Sequence, residues 1–202
     1  MAATGAALIV HDLKNALGSL EARLQALSLE PERVAAVAAH RECRALRQRL
    51  VGYLTVYGHD GPLQAHTQDE SPLEVLQALC SRHVDDLPQP SLSAPAAVPE
   101  QWHFDRHLVM LALEAALHNA LRYARQHIEL QARAEQGYLV FSVVDDGPGP
   151  AAAVDGADGT TGLGTALCRA VAHAHGNTRT DCGVRLYAHP DGGACFELWL
   201  PT

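Results

Sequence analysis

The chain has 202 residues, enough for one large domain or two small ones. Its formal net charge of −8 argues against a general nucleic-acid or anionic-membrane binder. No apolar run approaches the ~18 residues that a membrane span needs. The apolar share of 48% is ample for a core, and the scarcity of aromatics beside abundant alanine favours helices.

The opening MAATGAALIV has no basic residue ahead of its short apolar stretch, so it does not read as a signal peptide. Cys43, Cys80, Cys168, Cys182 and Cys195 are odd in number and lack CxxC spacing. They read as reduced thiols, mostly core filler, in a cytoplasmic protein. Histidine is abundant, but neither HExxH nor paired cysteines organise it into a metal site.

From Val10 the apolar residues run Val10, Leu13, Leu17, Leu20, Leu24 and Leu27. Steps of three and four mark the seam of a helix packed in a coiled-coil-like bundle. Leu29-Glu30-Pro31-Glu32 supplies a turn, with Pro31 suited to the first turn of the next helix. Leu46, Leu50, Tyr53 and Tyr57 continue the same kind of seam. Two long helices with a short connection make an antiparallel hairpin over residues 1–58. Such a hairpin buries one side of each helix, so a second copy completes a four-helix bundle and the chain is expected to be a homodimer.

Residues 59–71, polar with glycine and proline, read as an inter-domain linker. Ser71-Pro72-Leu73-Glu74 opens a helix with an N-cap and a proline in its first turn. Beyond the loose, proline-rich 87–99 comes an apolar helix from about Asp105 to Tyr123. Ile128 to Ala132 alternates apolar and polar, Gln136-Gly137 turns, and Tyr138 to Val144 suits a buried strand. Leu163 to His175 is a further helix closed by Gly176-Asn177. Val184–Ala188 and Cys195–Leu200 form a last hairpin around Asp191-Gly192-Gly193. Residues 72–202 are thus an α/β sandwich, one mixed sheet covered by helices, and the chain as a whole is α+β.

Two separated segments fit one reaction. In HDLKN, His11 sits at the edge of the helical seam with Asp12 beside it and Asn15 one turn on, on the same face. A neutral imidazole attacks phosphorus through one nitrogen, while a carboxylate taking the proton on the other fixes its tautomer. Asn15 is also placed to hold a water for attack on phosphohistidine. Taken alone, a histidine beside an acid is usually just part of a solvated helix face.

In DDGPG, Asp145 ends an apolar strand, where its carboxylate can accept from the amino group of a purine. Gly147 and Gly149 permit unusual backbone angles and close approach of a ligand. Gly162-Leu163-Gly164, preceded by Thr161, starts a helix whose free N–H groups suit phosphate. Asn119 on the apolar helix can supply an oxygen to Mg²⁺, with Arg122 and Tyr123 a turn further on to reach phosphate and ring. Alone, DDGPG is a tight surface turn and GLG a weak signal. The ordered set is stronger, because the intervening strands bring it to one cleft.

Asn119 in HNALRYA, then VDDGPG, then TGLGTAL followed by AHAHG, resembles the ATPase domain of bacterial sensor histidine kinases and their wider GHKL relatives. HDLKN resembles the phosphoacceptor box of the dimerisation and histidine-phosphotransfer domain, so the likeness covers nearly the whole chain. It implies that His11 is phosphorylated from Mg-ATP, with Asp12 the neighbouring acid and Asn15 closing the DxxN pattern of phosphatase activity. It further implies that Asn119 holds Mg²⁺, Asp145 reads adenine, and Gly147, Gly149, Gly162 and Gly164 shape the lid and phosphate region. The implied partners are the receiver domain of a response regulator and, as the sequence shows no sensor or receiver segment, a separate sensory protein, the alternative being that the sequence is an excised fragment.

The chain departs from the family's motifs at three points. Ala115 stands where an earlier asparagine is usual, and Thr160-Thr161 displace the first glycine of the second glycine box. The stretch from Gly149 to Gly162 is short and holds no phenylalanine. These departures bear on triphosphate handling more than on fold or adenine recognition. The alternative they leave is a histidine phosphotransferase that relays phosphate between receiver domains, its ATPase-like domain degenerate. A third reading, an ATP-dependent interaction module, leaves His11 idle.

Overall fold

A computed structural model describes residues 2–58, 61–86, 88–93, 98–150, 163–176 and 183–202, without the side chains of residues 2–10 and 12. The chain divides into two compact units, 1–60 and 61–202.

The first unit is a helical hairpin of α1 (Ala2–Leu29) and α2 (Arg33–Tyr57). α1 is rich in alanine and leucine, which lose little side-chain freedom in a helix, and it stops where Glu30 precedes Pro31. Pro31 itself lies outside the helix, because α2 takes Glu32 as its N-cap and starts at Arg33. Leu20 of α1 and Ala39 of α2 are buried, and Arg23 Nε lies 3.2 Å from a Glu42 carboxylate oxygen. Leu17, Leu24, Leu50 and Leu54 remain exposed.

The second unit begins with β1 (Gln68–Glu70), which pairs antiparallel with β3 (Trp102–Phe104). This strand occupies a stretch whose polar composition reads only as linker. α3 (Pro72–Arg82) starts at Ser71, whose Oγ accepts from Glu74 N–H at 3.4 Å. β2 (Pro90–Leu92) lies in the proline-rich segment and pairs parallel with β4 (Ile128–Glu135). Both short strands are too brief to leave an alternating pattern. Their partners, distant in sequence, create them.

α4 (Arg106–Tyr123) is capped by Asp105, whose Oδ1 accepts from Leu108 N–H at 3.0 Å. β4 and β5 (Tyr138–Asp145) form a hairpin through Gln136 and Gly137, both at positive φ. α5 (Leu163–Ala174) follows, then β6 (Val184–Ala188) and β7 (Ala194–Pro201). The sheet order is β2-β4-β5-β7-β6, mixed because only the β2–β4 pair is parallel.

Helices α3, α4 and α5 pack on this sheet. The Phe104 and Phe141 rings meet edge to face at 5.9 Å, and Leu113, Leu117, Ile128, Leu139 and Leu198 are fully buried. Ser142 and Glu197 pair across β5 and β7 on the opposite face. There Glu197, 3% exposed, accepts from Arg133 Nη2, Tyr187 OH and Trp199 Nε1 at 2.8, 3.0 and 2.9 Å. Every charge buried in this face is therefore satisfied.

Candidate nucleotide and phosphoacceptor sites

Asp145 is the last residue of β5 and is half-buried. Burial pushes its carboxyl up, the N–H groups of Gly147 and Ala194 pull it back, and the Asp146 charge adds to the rise. Its Oδ1 accepts from Gly147 N–H at 2.8 Å. The glycines act in two different ways. At Gly147 a Cβ would lie 2.6 Å from Tyr123 O and 2.7 Å from Asp145 Oδ1, so bare backbone is required there. Gly149 instead adopts φ +86°, which L side chains rarely take.

The end of α4 is drawn onto this turn. Tyr123, its last residue, has its carbonyl against Gly147, while the Arg122 guanidinium lies 5.5 Å from the Tyr123 ring centroid. Asn119, one turn back, is exposed. Gly164, in the first turn of α5, is its neighbour: a Cβ there would lie 3.8 Å from Asn119 Nδ2 and 3.9 Å from Ala115 Cβ. The structure thus brings together Asn119, Arg122, Tyr123, Asp145, Gly147 and Gly164, with Leu163 buried beside Gly164. Thr161 and Gly162 lie outside the described residues.

Two residues of this site carry no sequence expectation. Asp146 accepts from Arg125 N–H at 2.8 Å and from Gln126 N–H at 3.0 Å, tying the loop after α4 to the DDGPG turn. Partial burial works against its charge, yet the N–H groups of His127, Gln126 and Arg125 hold its carboxyl below the ordinary value. Gly193, at φ +90°, lies flat against Asp145, and a Cβ there would collide with the Asp145 carbonyl oxygen. The doubled glycine of DGG gave no signal of this contact, since Gly192 and Gly193 both adopt positive φ and the turn alone accounts for both.

In the hairpin, His11 and Asn15 are exposed on α1, and Asn15 Nδ2 lies 3.3 Å from His11 Nδ1. The Asp12 side chain lies outside the described residues. A half-turn of the carboxamide presents its oxygen to the same ring atom, so Asn15 can serve either tautomer of His11. Of the cysteines, Cys168 and Cys195 are buried and Cys80 is half-buried, while Cys43 is exposed on α2 instead of filling the core. Burial pushes the Cys168 thiol up to about 12, far from a reactive thiolate. No helix among the described residues is long and apolar enough to cross a membrane.

The model of the histidine kinase-, DNA gyrase B- and HSP90-like ATPase family matches residues 104–202. Residues 104–202 of the C-terminal unit carry the likeness to that family. The sensor protein KdpD of Escherichia coli K12 is 34% identical over 137 aligned residues, covering 56% of this chain and 14% of KdpD. The chain therefore spans about a seventh of that curated relative. Among solved structures, the Acinetobacter baumannii histidine kinase AdeS is 20% identical, with a TM-score of 0.65 over 95% of this chain and 97% of its own. Histidine kinase ThkA, solved in complex with the response regulator protein TrrA, gives a TM-score of 0.64 at 13% identity, covering 96% of this chain and 60% of that chain. At such identities the structural likenesses concern fold. Taken with the family match and KdpD, they support a sensor histidine kinase carrying a GHKL-type ATPase domain.

Proposed function

We propose that this chain is a cytoplasmic histidine kinase of a two-component system. It takes the γ-phosphoryl group of Mg-ATP onto His11 and passes it to an aspartate in the receiver domain of a response regulator. The observation that carries this reading is the convergence of Asn119, Asp145, Gly147 and Gly164 at one end of the α4–β5 packing, within a matched ATPase domain.

The residues present fit the nucleotide. Asp145 offers a half-buried carboxylate to the adenine amino group, and Gly147 leaves bare backbone beside it. Asn119 would hold Mg²⁺, whose charge would help neutralise the phosphates, while Arg122 would reach phosphate and Tyr123 the ring. Gly149 shapes the lid, while Leu163 and Gly164 offer the first N–H groups of α5 to phosphate; Thr161 and Gly162, outside the described residues, are assigned to the same region from the sequence alone. Bound Mg-ATP supplies the phosphoryl group and spreads the charge that develops on it.

At His11, the Nε2 lone pair forms the N–P bond as the bond from the γ-phosphorus to the β–γ bridging oxygen breaks, and ADP leaves with that electron pair. Asp12 takes the proton from Nδ1, and the Asn15 carboxamide, 3.3 Å from that nitrogen, orients the ring once flipped so that its oxygen and not its Nδ2 faces the N–H. In the reverse, hydrolytic direction Asn15 holds a water in line with the phosphorus. The exposed seam of Leu17, Leu24, Leu50 and Leu54 pairs with that of a second copy, making a dimeric four-helix bundle.

One observation favours the relay reading. Ala115 faces Gly164 within the site, so a methyl group stands where the family's usual asparagine would offer a polar side chain. The full chain incubated with γ-labelled Mg-ATP separates the two. Autophosphorylation gives acid-labile, base-stable label that His11→Gln abolishes without changing nucleotide affinity. Asn15→Ala is expected to keep the label and slow dephosphorylation of the receiver. A chain that gains label only from a phosphorylated receiver is a relay, and a His11→Gln protein labelled at the wild-type level sinks both.

A further inference from the structure

Helices α4 and α5 run antiparallel, and three contacts fix how they lie. At one end Gly164 faces Ala115 and Asn119. In the middle, Cys168 Sγ lies 3.5 Å from Ala112 O, a weak donor to a carbonyl. At the far end His175, just past α5, meets Asp105, the N-cap of α4: the Asp105 main-chain N–H donates to His175 Nε2 at 2.9 Å. That donor leaves Nε2 no hydrogen of its own, so Nδ1 carries the proton and gives it to Val171 O at 2.7 Å. His175 is thereby a neutral, half-buried bridge with both nitrogens used. His173, two residues earlier, is exposed.

A helix behaves as a rod with a rise of about 1.5 Å per residue, so a slip at one end reappears at the other. The adenine half of the site hangs elsewhere. Asp145 and Gly147 are held by β5, by Gly193 and by the loop that Asp146 ties down, none of it on α5.

We propose that His175 is a positioning residue: by accepting the Asp105 N–H it sets the register of α5 on α4, keeps the first turn of α5 beside Asn119, and so governs affinity for the phosphate half of the nucleotide while leaving the adenine half untouched. The proposal rests on the reading of the C-terminal unit as an ATP-binding domain. The bond at stake is neutral, with a net worth of about 1 kcal/mol, which converts to about fivefold in affinity.

Calorimetry on the full chain with Mg-ATP and with adenosine, which lacks phosphate, tests it. His175→Ala is expected to bind Mg-ATP about fivefold more weakly and adenosine within twofold of wild type. His175→Gln, neutral and able to accept at the same distance, is expected to recover most of the loss. Should His175→Ala not fold, the shorter His175→Asn is expected to show the same selective loss. Unchanged Mg-ATP affinity in the variants overturns the proposal, as does equal weakening of Mg-ATP and adenosine, the mark of general destabilisation. A wild-type chain that binds no Mg-ATP overturns the ATP-binding reading itself, a separate outcome read before any variant is made.

Discussion

The two units of this chain treat their apolar side chains in opposite ways. In the α/β unit Phe104, Leu113, Leu117, Ile128, Phe141 and Leu198 lose all contact with water, because helices close over one face of a five-stranded sheet. In the hairpin Leu20 and Ala39, 5% and 2% exposed, are the described apolar side chains that come near this, while Leu17 and Leu24 keep 56% and 53% of their surface exposed. The hairpin has apolar residues enough and lacks a second layer to set against them. One unit therefore carries its own core, and the other is completed by the proposed second copy.

The sharpest way to break that comparison is to charge the seam. Leu17→Asp with Leu24→Asp places four carboxylates in the bundle of a dimer, and each buried unpaired ion costs several kcal/mol. The dimer dissociation constant should rise at least about a hundredfold. Light scattering should report a monomer at micromolar concentration, with nucleotide affinity unchanged because the C-terminal unit is self-contained. A doubly charged variant that stays dimeric would show that the exposed leucines are not the interface.

A smaller effect is expected inside the closed unit. Asp145→Asn replaces a charged acceptor by a neutral one, a change worth ~1.5–3 kcal/mol, or roughly ten- to a hundred-fold in Mg-ATP affinity. Dimerisation should not move. Titration calorimetry checks the first statement and light scattering the second, and an Asp145→Asn protein with wild-type affinity would remove the adenine role.

What was legible in the sequence follows the same division. Long periodic elements announced themselves: the seams of α1 and α2 lie inside helices that start well before them, while the apolar α4 and β5 with its carboxylate at the end lie within a residue or two of their expected bounds. β1 and β2 did not, because three residues cannot establish a period and their existence depends on partners 34 and 38 positions away. In the site, type and spacing singled out Asn119, Asp145 and the glycines as candidates, but not Asp146, whose carboxylate ties down the loop after α4. Residues whose role comes from tertiary neighbours were not singled out either: Gly193 matters because β7 lies beside β5 in one register, and the His175 ring because α5 lies antiparallel to α4. Such roles belong to the packing, and a single sequence carries no local mark of them.

The polar face of the sheet allows a finer comparison, since the hairpin has no buried network of this kind among its described residues. Glu197→Gln keeps one acceptor for Trp199 or Tyr187 and removes the charge facing Arg133. Burial alone would raise the Glu197 carboxyl, but the bonds from Arg133, Trp199 and Tyr187 hold it below the ordinary value. Arg133 is partly exposed, so solvent screens the pair and the expected loss is about 1 kcal/mol. Differential scanning calorimetry should place the melting point of the C-terminal unit about 3 °C lower, with no change in the dimer. An unaltered melting point would mean that the network is no more than surface decoration.

The smallest expected effect is the response to acid, and it too should be confined to the C-terminal unit. Burial pushes His175 below its ordinary value, the Val171 carbonyl and the Asp105 charge pulling the other way. A group whose folded value is depressed binds more protons in the unfolded chain, so its contribution is complete above about 6.5, the unfolded value, and is lost as pH falls from there through the folded value. The charged groups on this region include the Asp105 carboxylate, which accepts from Leu108 and His66 N–H. Protonating His175 Nε2 sets an N–H against the Asp105 N–H and breaks the bridge. Wild type should then lose melting temperature more steeply than His175→Gln between pH 7.0 and about pH 5.5, since glutamine has no proton to gain there. The other carboxylates and histidines are common to both proteins, so the difference between the two slopes isolates this ring. Parallel slopes would show that the bridge survives protonation and that the acid response of the unit lies elsewhere.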